Sequence, residues 1–115
     1  MPRIEKFGKN SGKLRLFVHV PESLPEGSVP LVVVLHGCNQ DAHGMMRLSG
    51  WNKLADENGF IIAYPEQKGK NNMNRCFNWF YGKDTERGKG EVASIHQIVE
   101  YMNANYPIDS EQVSI

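Results

Sequence analysis

The stretch "VVVLHGCNQ", residues 32–40, runs four apolar residues into a histidine, a glycine and one of only two cysteines in the chain. A glycine at such a point lets the backbone turn sharply and approach a ligand closely. The amide N–H groups that follow it can point at developing negative charge, the arrangement of an oxyanion hole. A tight strand-to-helix turn that needs only Gly37 explains the same residues without any chemistry. His36 offers a ring nitrogen, yet no nucleophile and no partnering acid can be assigned to it from spacing. A hydrogen-bonded packing role suits it better. His19, His43 and His96 are scattered and lack metal-ligand spacing. His36-x-Cys38 lacks the glutamate and the later Cys pair of a zinc deaminase, so no metal site is read.

Other stretches mimic motifs without their context. "GKGEVA", residues 88–93, matches the dinucleotide-binding glycine pattern, but charged loop residues rather than a strand precede it. Glu91 there suits a helix start instead. "GKDTERGK" misses the phosphate-loop spacing by one residue. No cofactor is therefore expected. "RCFNWFYG" crowds Phe77, Trp79, Phe80 and Tyr81 together. Core packing accounts for this cluster, and so would an apolar cleft in which Trp79 or a neighbour meets an acyl or aromatic group. The Gly-x-Ser-x-Gly elbow of a hydrolase serine is absent from the 115 residues.

The elements that must position these residues follow from hydrophobic period. "KLRLFVHV" alternates, with Leu14, Leu16, Val18 and Val20 on one face and Arg15, Phe17 and His19 on the other, as in a half-buried strand. "PESLPEGSVP" reads as a connector. "LVVVL" is apolar without alternation, as in a strand covered on both faces. A helix is expected from Met45 to Asn58, with the stripe Met45, Leu48, Trp51 or Asn52, Leu54 and Ala55, and Gly59 as its stop. "FIIAY" is the next strand, ended by Pro65, and "EQKGKNNMNR" a polar loop. A second helix spans Glu91 to Asn105 with the stripe Val92, Ile95, Ile98 or Val99, Met102 and Tyr106. "PIDSEQ" turns into "VSI", the opening of a further strand. Strands alternating with helices mean an α/β fold with a mainly parallel sheet and right-handed crossovers. Residues 1–30 supply an edge strand and connector, and residues 31–115 the strand–helix repeats of one domain or part of one.

Thirteen basic and thirteen acidic residues leave no net charge, so no basic field exists to gather phosphates and nucleic acid is not an expected partner. The longest apolar run, Leu31 to Leu35, falls far short of the ~18 residues of a membrane span. "MPRIEKFGKN" has no apolar core of a secretory signal. Cys38 and Cys76 are either two buried thiols or a disulfide. The bond would close a loop of about 38 residues and contribute on the order of 4 kcal/mol.

Taken in series, "VVVLHGCNQ", "GWNKLADENGFIIAYPEQ", "NRCFNWF" and "RGKGEVASI" resemble the poly(3-hydroxybutyrate) depolymerase family of esterases, related to feruloyl and acetylxylan esterases. The likeness runs from Leu31 to Ile115. It implies an α/β-hydrolase fold and ester cleavage by a Ser-Asp-His triad. The family's serine follows the strand that "VSI" resembles, so none of the triad is carried over and the chain alone is expected to be inactive. What the resemblance carries over is the Cys38 backbone N–H as an oxyanion donor, Asn39 and Trp79 as substrate-binding residues, and a Cys38–Cys76 disulfide. It implies an ester substrate, from a short-chain polyester to a small acyl or aryl ester, and an extracellular or periplasmic location; the missing signal leaves the cytoplasm open. Phe77 stands where many members have tryptophan. A non-catalytic α/β binding domain is the competing reading, and a nucleotide-binding module a third.

Overall fold

The computed structural model describes residues 3–8, 14–36, 42–67 and 90–115, with the backbone alone given for residues 43, 48 and 90–92. Five strands form one sheet in the order β1-β2-β4-β3-β5. These are β1 (Arg3–Ile4), β2 (Arg15–His19), β3 (Val29–Val33), β4 (Ile61–Glu66) and β5 (Ile108–Ser114). β4, β3 and β5 run parallel, the part of the sheet that the strand–helix alternation foretells. β1 and β2 join it through antiparallel ladders, so the sheet is mixed, and the two-residue β1 holds the edge with β2 one strand inward.

Each face of the sheet is covered. Leu14, Leu16, Val18, Val29, Leu31, Val33, Ile61 and Ala63 pack with Ile95, Ile98 and Met102 of α3 (Gly90–Asn105). Val34, Ile62 and Tyr64 pack on the opposite face with Ala42 of α1 (Ala42–Ser49) and Ala55 of α2 (Trp51–Asn58). The crossover β3→β4 moves one way along the sheet and β4→β5 moves back past β3. With right-handed connections, opposite directions put their helices on opposite faces. Alternation within β2 accordingly sorts Leu14, Leu16 and Val18 into the α3-side core, while Phe17 meets the α1–α2 side. Val20, expected with the buried set, is 37% exposed because the ladder ends at His19.

The helix expected over 45–58 is two helices. Gly50 takes φ +73° and ψ 8°, a left-handed conformation open to glycine at little cost, and the axis breaks there. The break resets the apolar stripe: Met45, Met46, Trp51 and Ala55 face the sheet, while Leu54 is 43% exposed. Gly59 stops α2 as its position suggested, with φ +73° and its N–H donated to Ala55 O at 2.8 Å.

Three strand ends also differ from the sequence expectation, the first being β3, which closes at Val33 rather than running on through Leu35. Pro65 lies inside β4, opposite Leu16, rather than ending it. The rungs with β3 reach only Val33↔Ala63, so the missing proline N–H removes none of them. β5 begins at Ile108, five residues before "VSI", and its register with β3 shifts between Val29↔Ile108 and Leu31↔Val113. The irregularity is held by Asp109, whose carboxylate accepts the Glu111 N–H at 3.0 Å and the Gln112 amide at 3.0 Å.

A Cβ at Gly59 would stand 2.7 and 2.8 Å from Cδ and Cγ of Pro25, whereas one at Gly50 would meet nothing within 4 Å. Both positions carry the left-handed penalty of roughly 1–2 kcal/mol for a non-glycine residue. Gly59→Ala adds the ring clash and is expected to lower unfolding free energy by more than Gly50→Ala in urea melts. Equal losses would refute the contact with Pro25.

Candidate functional site

Ligands of open α/β sheets sit beyond the carboxyl ends of the parallel strands, where successive crossovers part to opposite faces. Here that place is the end of β3, flanked by β4 and β5. Val32 to Leu35, Trp51, Ser114 and Ile115 line a cleft of about 360 Å³ at this edge. Ser114 registers with Val32, so β5 finishes directly beside the segment that leaves β3.

Parity along β4 sets the chemistry of this edge. Ile62, Tyr64 and Glu66 alternate toward the α1–α2 side. Ile62 fills the core there. The Tyr64 hydroxyl donates to Asn52 Oδ1 of α2 at 2.6 Å. Glu66 is 6% exposed, and its Oε1 accepts the backbone N–H of Ala42, the first residue of α1, at 3.0 Å. That N–H is one of the amides a helix start leaves without an intrahelical acceptor, and a carboxylate there also meets the positive end of the helix dipole. On its other oxygen, Glu66 faces Arg15 Nη1 at 3.4 Å, from the residue directly opposite in β2. Arg15 is partly solvated, so the pair adds modestly in energy and chiefly orients the carboxylate.

The next residue makes a second link. The Gln67 backbone N–H donates to His36 Nε2 at 2.9 Å, with both residues buried. A ring nitrogen that accepts from an amide carries no proton itself, so the hydrogen belongs on Nδ1. His36 is thus the hydrogen-bonded packing residue its position suggested. Glu66 and Gln67, assigned by sequence to a polar loop, are buried polar groups at the strand end. The signal available in sequence was parity alone: Glu66 continues the Ile62–Tyr64 face once Pro65 is allowed inside the strand.

Cys38, Asn39, Cys76 and Trp79 lie outside the described residues, as does Gly37. The structure brings together what flanks the first two: His36 before them and Ala42 after them. Away from this edge, His19 Nε2 lies 2.8 Å from Asp56 Oδ1 and His96 Nε2 lies 2.8 Å from Glu100 Oε1. Among the described residues no three His, Cys, Asp or Glu side chains gather as a metal site would require.

The strand order, the doubly covered sheet and the switch point beside β3 are those of an α/β hydrolase. An acetyl xylan esterase from Aspergillus awamori superposes with a TM-score of 0.88 at 25% identity, over 97% of this chain and 40% of that one. The profile of the Esterase PHB depolymerase family matches residues 15–115, and the chain belongs to that family. It is 44% identical to poly(3-hydroxyalkanoate) depolymerase C of Paucimonas lemoignei, over all of this chain and 27% of the relative. Feruloyl esterase B of Talaromyces funiculosus is 29% identical over 98% of this chain and 31% of its own length. The chain therefore spans between about a quarter and two-fifths of these three proteins.

Burial raises the Tyr64 hydroxyl to about 12 from its ordinary value of 10.0. The folded state then holds this proton where the unfolded chain releases it. The contribution to stability is complete below pH 10, shrinks as pH rises from 10 to 12, and is gone above. Two pKa units correspond to at most about 3 kcal/mol. Tyr64→Phe is expected to flatten the alkaline fall in unfolding free energy over that window; an unchanged slope would refute the assignment.

Proposed function

We propose that this chain is the N-terminal portion of a serine-dependent carboxylic ester hydrolase and that residues 37–41 furnish its oxyanion loop. In this reading the Cys38 backbone N–H is one donor to the tetrahedral intermediate, and Asn39 and Trp79 contact the substrate. The observation that carries it is the anchoring of both flanks of this loop at the carboxyl edge of the sheet: His36 to Gln67 and Ala42 to Glu66. Family membership and the names of the relatives, a poly(3-hydroxyalkanoate) depolymerase, a feruloyl esterase and an acetyl xylan esterase, support an ester as substrate.

The serine attacks the ester carbonyl and is acylated; a histidine supported by an acid takes its proton, then delivers it to the leaving alcohol. Water reverses the sequence and releases the acid. No Gly-x-Ser-x-Gly turn occurs among the 115 residues, so in this reading none of the three groups is assigned to a residue of this chain. Each oxyanion donor supplies about 3–4 kcal/mol of transition-state stabilisation, a hundredfold or more in rate. Cys38 and Cys76 pair as a disulfide that ties the oxyanion loop to the aromatic stretch around Trp79. Such a bond suits an extracellular or periplasmic protein.

A polypeptide of the relatives' length is expected to hydrolyse p-nitrophenyl butyrate and to be labelled covalently by a fluorophosphonate, while residues 1–115 alone do neither. Turnover by the 115-residue piece, blocked by the same reagent, would place a nucleophile inside it and overturn the assignment. For the cysteines, intact mass after alkylation without reductant should show neither Cys38 nor Cys76 labelled; two added alkyl groups would rule out the bond.

A further inference from the structure

We propose that Asn58 is a site of spontaneous deamidation, closed while the last turn of α2 is intact and opened when that turn unravels. Asn58–Gly59 is the one Asn-Gly pair among the 115 residues. A glycine after asparagine leaves its backbone nitrogen unshielded by any side chain, and its conformational range lets that nitrogen turn back on the asparagine. The reaction needs only water. The Gly59 nitrogen gives up its proton to solvent and bonds to Cγ of Asn58, closing a five-membered imide. The Cγ–Nδ2 bond breaks, and the amide leaves as ammonia with a proton taken from solvent. Water then opens the ring, giving aspartate where the Cγ bond is cut and isoaspartate where the main-chain bond is cut. One water is consumed and one ammonia released, with no change of oxidation state. Nothing in this chemistry depends on ester hydrolysis.

Both reacting groups are engaged elsewhere in the folded chain. Asn58 is the last residue of α2, and its side chain lies back along the helix, where Nδ2 donates to Leu54 O at 2.9 Å. The Gly59 N–H is donated to Ala55 O at 2.8 Å, so the attacking nitrogen is held away from Cγ. The Gly59 backbone also lies close against Pro25, since a Cβ there would stand 2.7 Å from the ring. Two residues on, Ile61 begins the buried strand β4, which leaves this link little slack. Asn58 itself is exposed, so hydrogen bonding rather than exclusion of water withholds the reaction. Terminal helical turns open locally more often than the whole chain unfolds, and such an opening frees both groups together. The products do not restore the turn. A new carboxylate stands at the negative end of the helix dipole, next to Asp56 and Glu57. The isoaspartyl form also adds a methylene to the main chain where Gly59 fits against Pro25. Conversion therefore loosens the end of α2, which Asp56 ties to β2 through His19 at 2.8 Å.

The test incubates the complete polypeptide in mildly alkaline buffer, with and without urea. The tryptic peptide Leu54–Lys68 is followed by chromatography that separates its asparaginyl, aspartyl and isoaspartyl forms. A synthetic peptide of the same sequence supplies the rate of an unrestrained chain. In urea the protein should match that peptide. In native buffer it should react roughly tenfold or more slowly, because the reactive geometry exists only in the opened fraction. Ala55→Gly keeps Asn58, Gly59 and the acceptor carbonyl but weakens α2 through its lower helix propensity. It should speed the native reaction several-fold and leave the urea rate unchanged. His19→Ala removes the tether to β2 without altering α2 and should act in the same direction; it carries the comparison if a thermal melt shows Ala55→Gly unfolded. Equal rates in native buffer and urea, or a native rate indifferent to these folded variants, would overturn the gate. No conversion at Asn58 in urea would overturn the site itself.

Discussion

A carboxylate at the end of a strand that is buried on both faces is the constraint from which the rest of this edge follows. Glu66 continues a run of buried residues in β4 and is itself 6% exposed. An ionised group in such a place is costly unless it is paired and hydrogen-bonded. Its partners come from two elements distant in sequence, the start of α1 and the facing strand β2 through Arg15. The need to satisfy one side chain thereby fixes a helix against a strand end. That helix start is also where the connection leaving β3 must arrive.

The α1–α2 face is docked by direction as much as by burial. Along β4, Ile62 contributes apolar packing, Tyr64 a hydroxyl bond to Asn52, and Glu66 the contact with Ala42. Along β2, Arg15, Phe17 and His19 share that side, with His19 reaching Asp56 of α2 at 2.8 Å. Hydrogen bonds specify a relative position that packing alone leaves looser. The α3 face is a core of Leu, Val, Ile and Met joined by Phe7, with Tyr101 and Tyr106 packed against it.

The chain belongs to the Esterase PHB depolymerase family and has the α/β-hydrolase fold. An oxyanion hole works because its donors are already in place when charge develops, so the reaction spends nothing on reorienting them. Backbone amides gain that fixity only from what holds the backbone. Among the described residues, Ala42 is held to Glu66 and His36 to Gln67, two adjacent residues at the end of β4.

Hydrophobic period, read from the sequence, determined the elements and their alternation: the doubly covered β3, the core stripe of α3 and the stop at Gly59, although β3 closes at Val33, three residues before His36. Those features are local, arising from side chains two to four positions apart and from glycine's freedom at a helix terminus. The resemblance across "VVVLHGCNQ" and its companions identified the family and pointed to Cys38, Asn39 and Trp79. Only the tertiary structure decided that the helix over 45–58 breaks at Gly50, that Pro65 sits within β4, and that Glu66 and Gln67 are buried anchors rather than loop residues. A proline is tolerable in a strand only where the neighbour its nitrogen faces has stopped pairing, as β3 has beside Pro65. A glutamate belongs in a core only if a helix start and an arginine come to meet it. Both conditions are set by elements 24 or more residues away, and no reading of adjacent residues contains them.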